Sequence, residues 1–149
     1  MSDKYFEAYV VGDRLESQGR TITQADIVNF AGASGDFHPA AVDVTFARER
    51  LGYDRMMAHG VLVLSVGMGL AWLMKQNTRN QTYGFDRVRF VSPVLAGDTI
   101  HVVGTVTEVS DYEKIPSRGR LVMRLEVFKD NEELAMVLDH IMLIERKPK

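Results

Sequence analysis

Asp36 and His38 stand two positions apart, framed by Gly35 and Pro39. A carboxylate beside an imidazole is the composition of a general acid–base pair. Gly35 permits a positive φ or a close approach of the backbone. Pro39 lacks an N–H and drives His38 toward extended backbone. Residues 33–43 therefore read as a shaped loop between two helical stretches, and loops on a rigid scaffold are where binding and catalysis concentrate. The same letters have a plainer reading, because Ser, Gly, Asp and Pro all favour turns. The other candidates are weaker. His59 precedes an apolar stretch and reads first as a cap or a buried hydrogen-bonded residue, and only second as a substrate contact. Asp139 and His140 are neighbours in a strand and face opposite sides, so they form no dyad without a bulge. His101 sits alone in a strand of alternating polarity and reads as solvent-facing.

The elements that must hold these residues follow from periodicity. Thr23 is an N-cap with Asp26 three residues on, and an apolar face over 25–31 gives a short helix that Gly32 and Gly35 end. A second short helix starts at Thr45 and stops at Gly52. A long apolar helix spans 58–75. Between Met56 and Met74 the only ionisable side chain is His59. That length approaches a membrane span, but the glycines at 60, 67 and 69, Ser65 and the charged flanks favour a buried core helix. From residue 81 the pattern becomes strands: 83–91, 99–109 with Gly104 as a bend or bulge, 120–128 and 134–144. Leu121, Met123, Leu125 and Val127 alternate with polar neighbours. Lys129 to Glu132 forms a hairpin turn. Wrapping the sheet around the long helix buries both and predicts an α+β fold. One helix covers a broad sheet poorly, so a homodimer is expected.

Composition narrows the function classes. The chain has 149 residues, 46% of them hydrophobic and 26% charged, which predicts one domain over 1–149. A net charge of −2 with no basic stripe gives no reason to expect a nucleic-acid partner. The absence of cysteine removes disulfides and thiolate chemistry and fits a cytoplasmic protein. No metal-ligand spacing, Gly-rich phosphate loop or Ser–His–Asp elbow is present, so neither metal nor cofactor is expected. The first residues carry no basic-then-apolar signal pattern, and no membrane association is expected.

Three blocks in this order carry a resemblance: Ser34-Gly35-Asp36-Phe37-His38-Pro39, then Ala58-His59-Gly60-Val61-Leu62, then Phe90-Val91-Ser92-Pro93-Val94 with Gly97-Asp98-Thr99. Together they resemble the MaoC-like dehydratases, the (R)-specific enoyl-CoA hydratases of the hot-dog fold, over roughly residues 15–145. The resemblance implies a sheet wrapped around a central helix, an acyl thioester substrate and reversible hydration of an enoyl group. It places Asp36 at the catalytic Asp and Gly60 at the oxyanion-hole glycine. The family loop usually reads G-D-x-N-P-x-H. Here the catalytic His falls on Ala41, and His38 stands where Asn is usual.

Hydrating a conjugated thioester needs a base for water, a proton for the α-carbon and donors for the enolate oxygen. Asp36 serves as base if an apolar pocket surrounds it. Gly60 offers a backbone N–H at a positive helix end. With Ala41 mute, either His38 takes over, or Asp36 works alone, or activity is weak or lost. A thioesterase of the same broad fold and a non-catalytic acyl-thioester binding protein remain as alternatives.

Overall fold

Thr23 opens the first helix with a reciprocal cap in the computed structural model, which describes residues 3–149. Its Oγ1 accepts from the Asp26 N–H (3.0 Å), and Asp26 Oδ2 accepts from the Thr23 N–H (2.8 Å). The helix, α1 (Gln24–Ser34), ends at Gly35, whose φ of 77° is in the left-handed region that favours glycine. Next come α2 (Pro39–Val42) and α3 (Val44–Leu51). The short α2 departs from the expected loop. Pro39 occupies its first position, where a fixed φ and a missing N–H cost nothing. Asp43, not a residue of the helix, starts α3: its Oδ1 accepts from the N–H groups of Thr45 (2.9 Å) and Phe46 (3.1 Å). The long apolar helix is α4 (Gly60–Lys75), with His59 at its N-cap. No helix among the described residues is long and apolar enough to cross a membrane.

Among the described residues, six strands form one antiparallel sheet: β1 (Arg14–Glu16), β2 (Arg20–Thr21), β3 (Asn80–Phe90), β4 (Thr99–Asp111), β5 (Arg118–Lys129) and β6 (Leu134–Glu145). Their order is β1–β4–β5–β6–β3, with β2 also paired to β4. The alternation read from β5 sets the faces. Leu121, Met123, Leu125 and Val127 are buried and lie opposite Met142, His140, Leu138 and Met136 of β6. Arg120, Arg124 and Glu126 take the other face. The helix crosses the inner face so closely that a Cβ on Gly67 would stand 3.3 Å from Val127 Cγ2. Each large apolar side chain fully buried there contributes about 1.5–3 kcal/mol. The result is the α+β hot-dog arrangement, a curved sheet wrapped around α4.

Two expectations are corrected. Gly104 is not the bulge; the register shift falls between Val106 and Glu108. A Cβ on Gly104 would lie 2.7 Å from Met74 Cε and 2.8 Å from Met123 Sδ, so the residue is small to admit those methionines. The helix does not bury every face within one chain. It packs chiefly over β4, and Val61, Ser65, Gly69, Trp72 and Leu73 form an exposed stripe. Both ends of the described chain are tied to the fold. The Asp3 carboxylate accepts from the N–H and the hydroxyl of Thr78, both at 2.7 Å, and the Lys147 N–H donates to Glu7 Oε2 (3.1 Å).

Phe6, in a short 3-10 turn (Phe6–Ala8), lies against the sheet at Gly119, under the Arg146 guanidinium. A Cβ on Gly119 would come within 2.3 Å of the Phe6 ring, so Gly119→Ala must push the turn away. Thermal unfolding is expected to show a loss of about 1–3 kcal/mol. Adding Phe6→Ala removes the obstacle, so the double variant should lose less than the sum of the two singles.

Candidate active site

Local hydrogen bonds build the Asp36 loop. Ser34 Oγ donates to the Phe30 carbonyl (2.7 Å) and accepts from the Asp36 N–H (3.2 Å). Asp36 Oδ1 accepts from the His38 N–H (3.2 Å), and His38 Nδ1 accepts from the Ala40 N–H (3.2 Å). An accepting Nδ1 leaves the proton of the neutral ring on Nε2. The imidazole meets Phe46 edge-on at 6.1 Å. Asp36 and His38 are exposed, and Phe37 between them is 60% exposed. The apolar enclosure expected around Asp36 is therefore not made by one chain; Ala40, Ala41 and Met57 wall one side only.

A strap, residues 56–59, brings α4 to this loop. Ala96 N–H donates to Met56 O (2.9 Å), Met57 N–H to Ala40 O (2.9 Å) and Ala58 N–H to Val94 O (2.8 Å). His59 Nε2 lies 2.8 Å from the Asp36 carbonyl oxygen. Gly60 is the first residue of α4, where a backbone N–H has no intrahelical acceptor and lies at the positive end of the helix dipole.

Two cavities meet at Gly60. One, of about 250 Å³, is lined by Asp36, His38, Ala41, His59, Gly60 and Val61. The other, of about 240 Å³, is lined by Gly60, Val63, Phe90, Val91, Val94 and Ala135. A Cβ on Gly60 would stand 2.9 Å from the Phe90 ring, so a side chain there would narrow the passage. Asp36, His38, His59 and Gly60 thus share one hollow, with Ala41 in its wall. The hollow can hold water beside a carboxylate and an imidazole, and a carbonyl beside a free amide.

The third motif block anchors the strap, and Phe90 to Val94 also line the second cavity. Gly97 turns at φ 95°, Asp98 Oδ2 accepts from the Leu95 N–H (2.8 Å), and Asp98 Oδ1 accepts from Arg55 Nη1 (2.9 Å). Ser92 Oγ donates to the Leu134 carbonyl (2.8 Å). The cross-links of the strap had no signal in the sequence, because backbone bonds between distant segments leave no residue pattern.

The remaining polar candidates lie elsewhere. Asp139 pairs with Arg87 on the outer face of the sheet, and His140 points inward, 3.0 Å from Thr82 Oγ1. They do not meet, as alternation requires. His101 is not freely solvated: it stacks on Phe128 at 5.8 Å and lies 3.6 Å from Glu16. Lys75 was not singled out, since a lysine at a helix C-terminus is usually solvated. Here its Nζ lies 3.4 Å from Met142 Sδ, and burial lowers its pKa to about 8. Burial, and then the charge of Lys75, lowers His140 to about 3.

Comparison with known proteins fits this geometry. Residues 7–123 match the MaoC like domain family. The chain is 36% identical over 138 residues to the (R)-specific enoyl-CoA hydratase of Rhodospirillum rubrum, covering 89% of this chain and 91% of that protein. It is 41% identical over 99 residues to Protein MaoC of Klebsiella aerogenes, covering 66% of this chain but only 29% of that longer protein. The monoamine oxidase regulatory protein of Archaeoglobus fulgidus superposes with a TM-score of 0.89 at 32% identity, covering 98% of this chain and 97% of that one. A double hot-dog protein of Mycobacterium tuberculosis superposes at 0.86 with 19% identity over 99% of this chain and 46% of its own, a likeness of fold alone.

Lys75 gives a test of the core at the far end of α4 from this site. Its folded pKa, about 8, lies below the ordinary lysine value of 10.5, so charging it opposes folding. That cost is fully present below pH 8 and vanishes as pH rises through 10.5. Lys75→Met should therefore raise stability at pH 7 by roughly 1–3 kcal/mol, with the gain shrinking above pH 8. Chemical denaturation across pH 6–11 would check both the sign and the window.

Proposed function

The chain belongs to the MaoC-like dehydratases, and on that premise we propose that it is a hydro-lyase that reversibly hydrates an enoyl thioester to a 3-hydroxyacyl thioester. One observation carries the reading: Asp36, His38 and the start of α4 at Gly60 line a single cavity. In this scheme the thioester carbonyl accepts from the Gly60 N–H. Asp36 takes a proton from water, and the hydroxide oxygen bonds to the β-carbon. The π electrons pass to the carbonyl oxygen, where the helix end and the amide hold the negative charge. The enolate collapses as the α-carbon takes a proton back from the Asp36 carboxylic acid. His38, with its Nε2–H turned toward neither Ala40 nor the backbone, supplies the second polar group that holds the water. Water is added with no change of overall redox state, so the scheme calls for no cofactor.

Apolar walls on the second cavity suit an acyl group beyond the carbonyl, with Val63, Phe90 and Val94 around it. The acting form in this reading is a homodimer, in keeping with a soluble cytoplasmic enzyme. The stripe on α4 leaves Val61 56% and Trp72 45% exposed, and Phe90 beside it is 54% exposed. Edge strand β3 has β6 on one side only. A second copy laid on this surface covers apolar area at the mouth of both cavities and removes water from Asp36.

A second reading has its own observation. Ala41 is buried in the cavity wall and carries no proton-transfer group. On this reading the chain binds acyl thioesters with little turnover.

Hydration of crotonyl-CoA, followed by loss of the enoyl-thioester absorbance, separates the two. The wild type should turn over, and Asp36→Asn should lower kcat by about 10²–10⁴-fold. Equal activity or equal silence of the two proteins removes Asp36 from its role. Binding without turnover, with a large gain on Ala41→His, supports the second reading. Light scattering is expected to give twice the chain mass, and Trp72→Glu should shift it toward the monomer and slow hydration with it.

A further inference from the structure

We infer that His59 is a positioning residue, whose imidazole holds the Asp36 main chain against the N-terminus of α4 and so sets the base opposite the Gly60 amide. This rests on the hydro-lyase reading for its consequence, though the clamp itself is a matter of geometry. Nε2 lies 2.8 Å from the Asp36 carbonyl oxygen, a contact that joins positions 23 residues apart. A carbonyl only accepts, so Nε2 is the donor and carries a proton. Nδ1 is then a bare lone pair in the neutral ring, and it is buried without a hydrogen-bond partner among the described residues. Neither nitrogen is free to meet a substrate: one is engaged and the other enclosed. His59 lines the cavity without offering it a polar group.

The ring is also held in place. The residue is 8% exposed, and the Phe30 ring packs on it at 5.0 Å and 55°. Phe30 belongs to α1, the helix that leads into the Asp36 loop. Every hydrogen bond that the Asp36 N–H and carboxylate make stays within residues 34–38. Met57 N–H to Ala40 O ties the strap to the loop further along. The His59 side chain is what reaches Asp36 itself. The next residue in the chain is Gly60. One residue thus fixes the base from its side chain and the oxyanion donor from its peptide bond. A misplacement of about 1 Å between such groups can cost about 10²-fold in rate.

The test compares His59→Ala, His59→Gln and Phe30→Leu with the wild type. Steady-state hydration of crotonyl-CoA is measured across pH, and amide hydrogen exchange of residues 35–42 by mass spectrometry. A Gln amide N–H reaches the place of Nε2, so His59→Gln should keep the clamp. His59→Ala is expected to lower kcat by about 10–100-fold with KM within about threefold. Its pH profile should keep both limbs, and exchange over 35–42 should quicken. His59→Gln should recover most of the rate and the slow exchange, and Phe30→Leu should fall between. The inference is overturned if Ala and Gln variants are equally impaired and a limb of the pH profile disappears, which makes His59 a proton-transfer group. It is overturned too if exchange in His59→Ala matches the wild type. Should the wild type not hydrate crotonyl-CoA, the hydro-lyase reading falls alone, because the exchange comparison still decides whether the clamp exists.

Discussion

The close seating of α4 on the inner face of the sheet is the constraint from which the rest follows. Gly67 brings the helix backbone within side-chain contact of Val127, and Leu62, Val63, Val66, Leu70 and Ala71 are buried around it. Area removed from water supplies the driving force. Small residues at the contact set the distance. Once the helix axis is fixed, so is its first residue, and Gly60 presents an amide that no helical carbonyl can satisfy. The proposed site is built outward from that amide.

The other half of the site is local in origin. Ser34, Asp36 and His38 order one another through short-range bonds to the backbone. Such a loop has a shape but no position. Position comes from the strap at 56–59, tied to Ala40 on one side and to Val94 and Ala96 on the other. The Ser92–Asp98 segment, which reads as part of the motif, serves as the mount for that strap. The geometry of the cavity therefore depends on backbone hydrogen bonds that join segments distant in sequence.

One chain leaves the arrangement open. Phe85 points to the helix side of the sheet yet is exposed, because α4 lies toward β4 and away from the β3 edge. Several exposed apolar side chains lie on this side: Val61, Phe90 and Val91 line the two cavities, and Trp72 continues the stripe further along α4. Patches of this kind mark interfaces. Asp36 lines the same cavity as Val61, so it is exposed on this side too.

What the sequence by itself determined was whatever depends on near neighbours. Thr23 and Asp26 cap α1 as read, Gly35 and Gly52 close their helices at left-handed φ, and the alternation of β5 names its buried face. The order of the three motif blocks was enough to indicate the family. These are legible because caps, turns and strand faces are set by residues within about four positions of one another. Local reading failed where two local rules competed: Pro39 reads as a loop breaker, yet at a first helical position it starts α2. Only the tertiary structure decided which of the four histidines meets Asp36. His38 is two positions away in sequence and lends its backbone N–H, whereas His59 arrives from 23 residues away and lends its ring. His140 is sealed in the core beside Lys75, and His101 is stacked on Phe128. Such meetings depend on where α4 comes to rest on the sheet, which is settled by the sum of many apolar contacts and not by any residue pattern.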